Sequence, residues 1–175
     1  MASPITLTEA LSLSDVLSNQ LFVLDLGTIP GSSGTNDLYL RCQGMTIGEE
    51  GNNAYQAKIG PHTRGFRGIG EFSHNMSVRF LETVDSQTSK DLRGWSQKVN
   101  GLITGTSSGY LRDYSVKATG TIFDTTGVAT EVWTFDNMFI QNISDIDFEN
   151  EAGQAVMITA TFWYDVKKSS LITYR

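Results

Sequence analysis

The chain has 175 residues, with 13 basic side chains against 19 acidic ones and a formal charge of −6. An acidic balance of this kind speaks against a phosphate-neutralising footprint for nucleic acid. One cysteine, Cys42, leaves no intrachain disulfide and no cysteine zinc site, and no segment approaches the ~20 apolar residues of a membrane span.

A chain of this length buries roughly 70% of its unfolded surface, so one domain over 1–175 is expected. The start, "MASPITLTEALSLSD", has neither the cationic head nor the apolar run of an export signal, so folding in a reducing cytoplasm is expected. In "LSDVLSN", Leu13, Val16 and Leu17 have helical spacing, which predicts a short helix over about 13–19. "LFVLDL" at 21–26 reads as a strand. "LYLRCQ" at 38–43 reads as a second strand with Leu38, Leu40 and Cys42 inward, the two forming a hairpin. From Gly44 to Gly70 seven glycines accompany Lys58, His62, Arg64 and Arg67, which predicts an extended excursion, a strand pair turning at Gly60-Pro61.

"MSVRFLE" at 76–82 alternates, with Met76, Val78 and Phe80 on one side. A helix follows in "SQTSKDLRGWSQKVNG", where Leu92, Trp95 and Val99 form a narrow apolar stripe. Thr88 with Asp91 suits a capping box, and Gly101 a C-terminal stop. "YSVKATGTI" (114–122) and "TEVWTF" (130–135) read as strands. So do both arms of "ISDIDFENEAGQAVMITATFWYDV" (143–166), a hairpin with Ile146, Phe148, Val156, Ile158 and Phe162 on its apolar face. The expected fold class is therefore mainly β: a β-sandwich or partial barrel of about seven or eight antiparallel strands with one packed helix. Residues 167–175 read as a short tail.

Candidate chemistry fails on context. "GTSSG" at 105–109 matches a nucleophile elbow around Ser107, but it follows a helix and precedes a strand. Asp145, Asp147 and Glu149 alternate like the first calcium ligands of an EF-hand, yet Asn150 and Val156 stand where its glycine and bidentate glutamate belong. His62 and His74 are too far apart for a compact metal motif. "GFRG" at 65–68 lacks the flanking helices of an RNA-clamping loop. Trp95, Trp133 and Trp163 suit packing better than a sugar platform. No enzyme, metal or cofactor is expected.

The charge distribution says more than the sum. No Lys or Arg lies between Lys117 and Lys167, where Asp124, Glu131, Asp136, Asp145, Asp147, Glu149, Glu151 and Asp165 all stand.

The succession of "NQLFVLDL", "LYLRCQGMTI", "AYQAKIGPHTRGF", "GEFSHNMSVRF" with the Trp95 helix, and the acidic-to-aromatic ending at 143–166 resembles the tail tube proteins of contractile-tailed bacteriophages. That resemblance implies hexameric rings stacked into a hollow tube inside a contractile sheath, assembled in the host cytoplasm and carried in the virion. Strand edges would pair between subunits into one continuous barrel. It also implies as partners the chain itself, the sheath, tape-measure, baseplate and tail-terminator proteins, and double-stranded DNA passing without specific binding, with no membrane contact. On this footing Asp145, Asp147 and Glu149 are expected to face the lumen or its rim and repel the duplex. Lys58, Arg64 and Arg67 are expected to pair with acids of the neighbouring ring. A type VI secretion or other injection tube and a baseplate tube initiator share the implied fold. A monomeric carbohydrate-binding β-sandwich is the alternative from another class.

Overall fold

The computed structural model describes residues 21–32, 38–101, 109–144 and 155–172. In chain order the strands are β1 (Phe22–Asp25), β2 (Cys42–Ile47), β3 (Glu50–Ile59), β4 (His62–Phe72), β5 (Asn75–Leu81), β6 (Val116–Phe123), β7 (Ala129–Ile143), β8 (Met157–Trp163) and β9 (Val166–Ser169). The helices are α1 (Leu38–Arg41), α2 (Gln87–Asn100) and α3 (Leu111–Tyr114). Seven strands form an antiparallel sheet in the order β1-β6-β7-β8-β5-β2, with β9 also on β7, while β3 and β4 make a separate two-stranded ribbon. The mainly antiparallel class is the one the alternation predicts.

β7 turns the corner of the sheet. Its first part pairs with β6 and β9, and its last part with β8. Between the two, Asn137 takes φ 55° and the β6 pairing slips, Val116 facing Met138 but Ala118 facing Phe135; an extra residue of this kind bends and twists a strand. The bend is held from outside, where Asp136 receives Lys117 at 3.7 Å and Lys168 at 3.0 Å, and Asn137 Nδ2 donates to Asp165 Oδ2 at 2.9 Å. The two parts then share one core, in which Leu24, Ala118 and Phe135 of the first join Phe80, Ile158 and Phe162 of the second.

Helix α2 closes that core from one side. Leu92 and Trp95 are buried and Val99 packs beside them, as the stripe predicts. The Trp95 indole tilts against Phe162 at 5.5 Å and donates to the Tyr114 carbonyl at 2.7 Å, so its polar edge is satisfied inside the protein. Gly101 caps the C-terminus at φ 57°, as expected, its N–H donating to Gln97. The N-terminus differs from the predicted box. Thr88 and Asp91 are both buried within the helix, and the cap residue Ser86 makes no side-chain cap bond. Instead Glu82, from the end of β5, accepts the N–H groups of Thr88 at 3.2 Å and Ser89 at 3.0 Å. An anion supplied by the preceding strand serves where a local cap was expected.

Four other expectations are corrected. Leu38–Arg41 is a single helical turn, not strand; Leu38 is buried but Leu40 is 67% exposed, because three-residue spacing, not alternation, sets what faces inward. Consequently β2 starts at Cys42 and pairs with β5 instead of β1, whose partner is β6. The strand read over 130–135 continues to Ile143, so the first arm of the final hairpin is the end of β7. The stretch read as a tail from 167 holds most of β9, paired to β7 through Trp133 to Asp136. The helix expected at 13–19, the Ser107 motif, Ile146 and Phe148 lie outside the described residues.

Candidate functional site

The sheet's second part, β2-β5-β8 and the end of β7, has two open edges. Gly48 N–H donates to Asn75, so the two-residue alternation points the N–H and C=O of Met45 and Ile47 away from β5. At the opposite edge Ser144 N–H donates to Thr159, which likewise turns the backbone groups of Ile143 away from β8. Among the described residues neither edge has a further strand partner. Neither carries the Lys, Glu or Pro that guards the edges of monomeric sheets. Beside the β7 edge runs a polar groove of about 380 Å³ with Arg93, Gln97 and Asn100 of α2 on one wall and Asn142 and Ser144 on the other.

The face of these strands opposite the core is polar at its centre, with Leu81, Met157 and Trp163 towards its ends. Thr46, Ser77, Arg79, Thr159, Thr161 and Asn142 fall there by register, alternating with buried Met76, Val78, Phe80, Ile158, Ala160 and Ile140. Arg79 reaches across to the edge strand: a Cβ on Gly44 would meet its guanidinium at 3.0 Å and make it shift by a few tenths of an ångström.

The ribbon of β3 and β4 is the predicted strand pair, turning at Gly60 with φ 62°. Its register pairs Lys58 with Thr63, Ala57 with Arg64, and Ala54 with Arg67. Alternation therefore puts Lys58 and Arg64 on opposite faces, not in one cluster. Arg64 shares its face with aromatics: Tyr55 stacks on Phe66 at 5.4 Å, and the Arg64 guanidinium lies 5.7 Å from the Phe66 centroid. Tyr55 is 59% exposed and Ile59 lies open beside it. Two strands alone are marginally stable in water, and an open aromatic face of this kind is characteristic of a contact surface. Sequence reasoning found the basic residues of this ribbon and passed over its aromatics, though Tyr55, Ile59 and Phe66 were visible at strand spacing.

The root of the ribbon is clamped to the body. Lys167 of β9, its side chain only 9% exposed, reaches Glu50 at 2.6 Å and the Gly48 carbonyl at 3.3 Å. Its ammonium also lies 5.2 Å from the Trp133 ring centroid. Tyr164 Oη donates to the Ser73 carbonyl at 2.8 Å, and burial, aided by the Glu50 charge, pushes that phenol above its ordinary pKa. His74 stacks on Trp163 at 5.1 Å. Trp133 and Trp163 thus serve packing, as expected. Asp145, Asp147 and Glu149 lie outside the described residues, and among the described ones no group of three metal-ligating side chains assembles.

No protein-family model matches the chain, and no curated protein matches its sequence. Solved structures do match in fold. A chain of the PVC sheath–tube complex, from an extracellular contractile injection system in its extended state, superposes with a TM-score of 0.61 at 11% identity, covering 95% of this chain and 99% of that one. A chain of the PVC sheath/tube terminator gives 0.64 at 12% identity over 91% and 99%. A type six secretion system protein gives 0.52 at 9% identity over 85% and 81%. The chain has the fold of contractile-injection tube proteins.

Proposed function

We propose that this chain is the subunit of a contractile-tail tube, forming hexameric rings that stack inside a sheath. The observation that carries this reading is the pair of unguarded edges on a four-stranded sheet. With an even number of antiparallel strands, the β7 end of one subunit runs antiparallel to β2 of the next, so head-to-tail joining continues the ladder without reversing any subunit. The core, helix α2 and the first part of the sheet all lie on one side of those four strands. A closed ring has more room outside than inside, so the bulky side goes outward and the Thr46–Ser77–Arg79–Thr159 face lines the lumen.

The ribbon of β3 and β4 supplies the contact between rings, its Tyr55–Phe66 face packing and Lys58, Arg64 and Arg67 meeting acids of the neighbour. Asp145, Asp147 and Glu149 follow directly on the β7 edge in sequence and belong to the lumen rim, where carboxylates keep a duplex off the wall. The expected cargo is phage DNA. A protein-carrying injection tube is the second reading, favoured by the likeness to the PVC chains. Either role is structural, with sheath, terminator, baseplate and tape-measure proteins as partners.

Electron microscopy of the purified protein tests the proposal. Rings or hollow tubes of constant diameter are expected, and a monomer at every concentration would rule the reading out. Gln141→Pro sharpens the test, because Gln141 is the exposed, unpaired residue of the irregularity on the open β7 edge. Proline is tolerated at edges and bulges but removes an N–H. The variant should fold as a monomer and form no rings.

A further inference from the structure

The strands proposed to line the lumen read CQGMTI, NMSVRFL, FIQNI and MITATFW, and Arg79 is the one charged side chain in all four. It is exposed on the face opposite the core, where it is paired across the strands with Gly44 and Thr159. A cleft of about 750 Å³ opens beside it, lined there by Thr46, Ser77 and Thr159, with Phe22 and Ile122 at its far wall. The guanidinium reaches across to the edge strand at Gly44, towards the subunit joint. A planar cation with five donors among hydroxyl groups, with no carboxylate on these strands to neutralise it, suits a phosphate oxyanion.

We infer that Arg79 contacts the phosphate backbone of a polyanion inside the tube, an inference that rests on the ring arrangement proposed above. One guanidinium per subunit becomes a ring of cations, repeated with each ring of the stack, so weak single contacts combine. Duplex DNA offers a charge every ~1.7 Å to meet them. The lumen is then not uniformly repulsive. Carboxylates at its rim keep the duplex centred, and the guanidinium rings hold it against drift before release.

The test assembles wild-type, Arg79→Gln and Arg79→Lys protein in the presence of a short fluorescent DNA duplex, and measures the duplex that sediments with tubes. Microscopy of the same samples scores tube formation separately. Wild-type tubes should retain the duplex at about 50 mM salt and release most of it by about 200 mM. Arg79→Gln tubes should retain roughly tenfold less and Arg79→Lys tubes most of the wild-type amount. Equal retention by wild-type and Arg79→Gln tubes overturns the inference while leaving the tube assignment intact. Loss of tubes in Arg79→Gln alone, with no salt-dependent retention by wild type, would assign Arg79 to a carboxylate of the neighbouring subunit and overturn it too. Absence of tubes from the wild-type protein removes both readings.

Discussion

Breaking the ion pair at the ribbon root from its two ends should cost different amounts. Lys167 has a side chain 9% exposed, whereas Glu50 is 46% exposed, so the cation has left water and the carboxylate has not. Replacing Glu50 by Gln strands the buried ammonium on one carbonyl and the face of Trp133. Removing one partner of a fully buried pair costs about 3 to 5 kcal/mol; with one end still wet, about 2 to 3 kcal/mol is expected here. Replacing Lys167 by Met removes the desolvated charge itself, keeps an unbranched chain over Trp133, and leaves Glu50 to water. The lost ion pair and cation–π contact, about 1 to 2 kcal/mol together, are then largely offset by the desolvation no longer incurred. Lys167→Met should lie within about 1 kcal/mol of wild type, and Glu50→Gln should lower Tm by about 4 to 12 °C for a chain of this size. Thermal and urea unfolding of both variants and the double variant measure this. The double variant should resemble Lys167→Met, since the amide introduced by Glu50→Gln then faces no buried charge. Equal losses, or a larger loss for Lys167→Met, would refute the argument that burial asymmetry decides the pair.

Gln141→Pro should give a folded monomer by circular dichroism and light scattering, and Arg79→Gln should leave tubes that retain less duplex. Burial pushes the Glu82 carboxyl up, but hydrogen bonds from Ser89 Oγ and from the N–H groups of Thr83, Ser89 and Thr88 outweigh it and hold its pKa below the ordinary value of 4.5. With a depressed folded pKa, its stabilisation is present above the unfolded value and lost as pH falls through the folded one. Glu82→Gln should therefore cost about 1 kcal/mol at neutral pH, with Tm converging on wild type as pH drops below the carboxylate range. Gly48→Ala would place a Cβ 2.6 Å from the Ser73 and Asn75 carbonyl oxygens. The backbone must move, so a loss of about 1 to 3 kcal/mol and faster proteolysis within β3 and β4 are expected.

The parts legible in the sequence are those whose periodicity has one reading. Met76, Val78 and Phe80 alternate over a full strand, and Leu92, Trp95 and Val99 mark a helix face; both lie where the spacing puts them. LYLRCQ failed because four residues satisfy a helical turn and a strand equally. What decides is tertiary: Arg41 reaches Thr88 at 3.3 Å and Leu38 enters the core. The length of β7 was hidden by Phe135-Asp136-Asn137, which reads as a strand end. The chain carries on because its ladder partners are distant in sequence, β9 against Trp133 to Asp136 and β8 against Phe139 to Ile143, with Lys117, Lys168 and Asp165 bracketing the corner.

The candidate site was only partly legible for a related reason. Charge is visible in sequence, but the face it occupies depends on register. The basic excursion looked like one patch until pairing Ala57 with Arg64 and Lys58 with Thr63 set its cations on opposite faces. The run without Lys or Arg from 118 to 166, with Asp145, Asp147 and Glu149 inside it, suggested a repulsive lumen or rim. Yet β8, inside that run, pairs with β5, which lies before it, and so brings Arg79 opposite Thr159 on the same surface. An antiparallel sheet mixes segments far apart in the chain, so a one-signed block in sequence does not make a one-signed face. Whether a proposed lumen repels or holds its cargo therefore turns on a residue outside the acidic block.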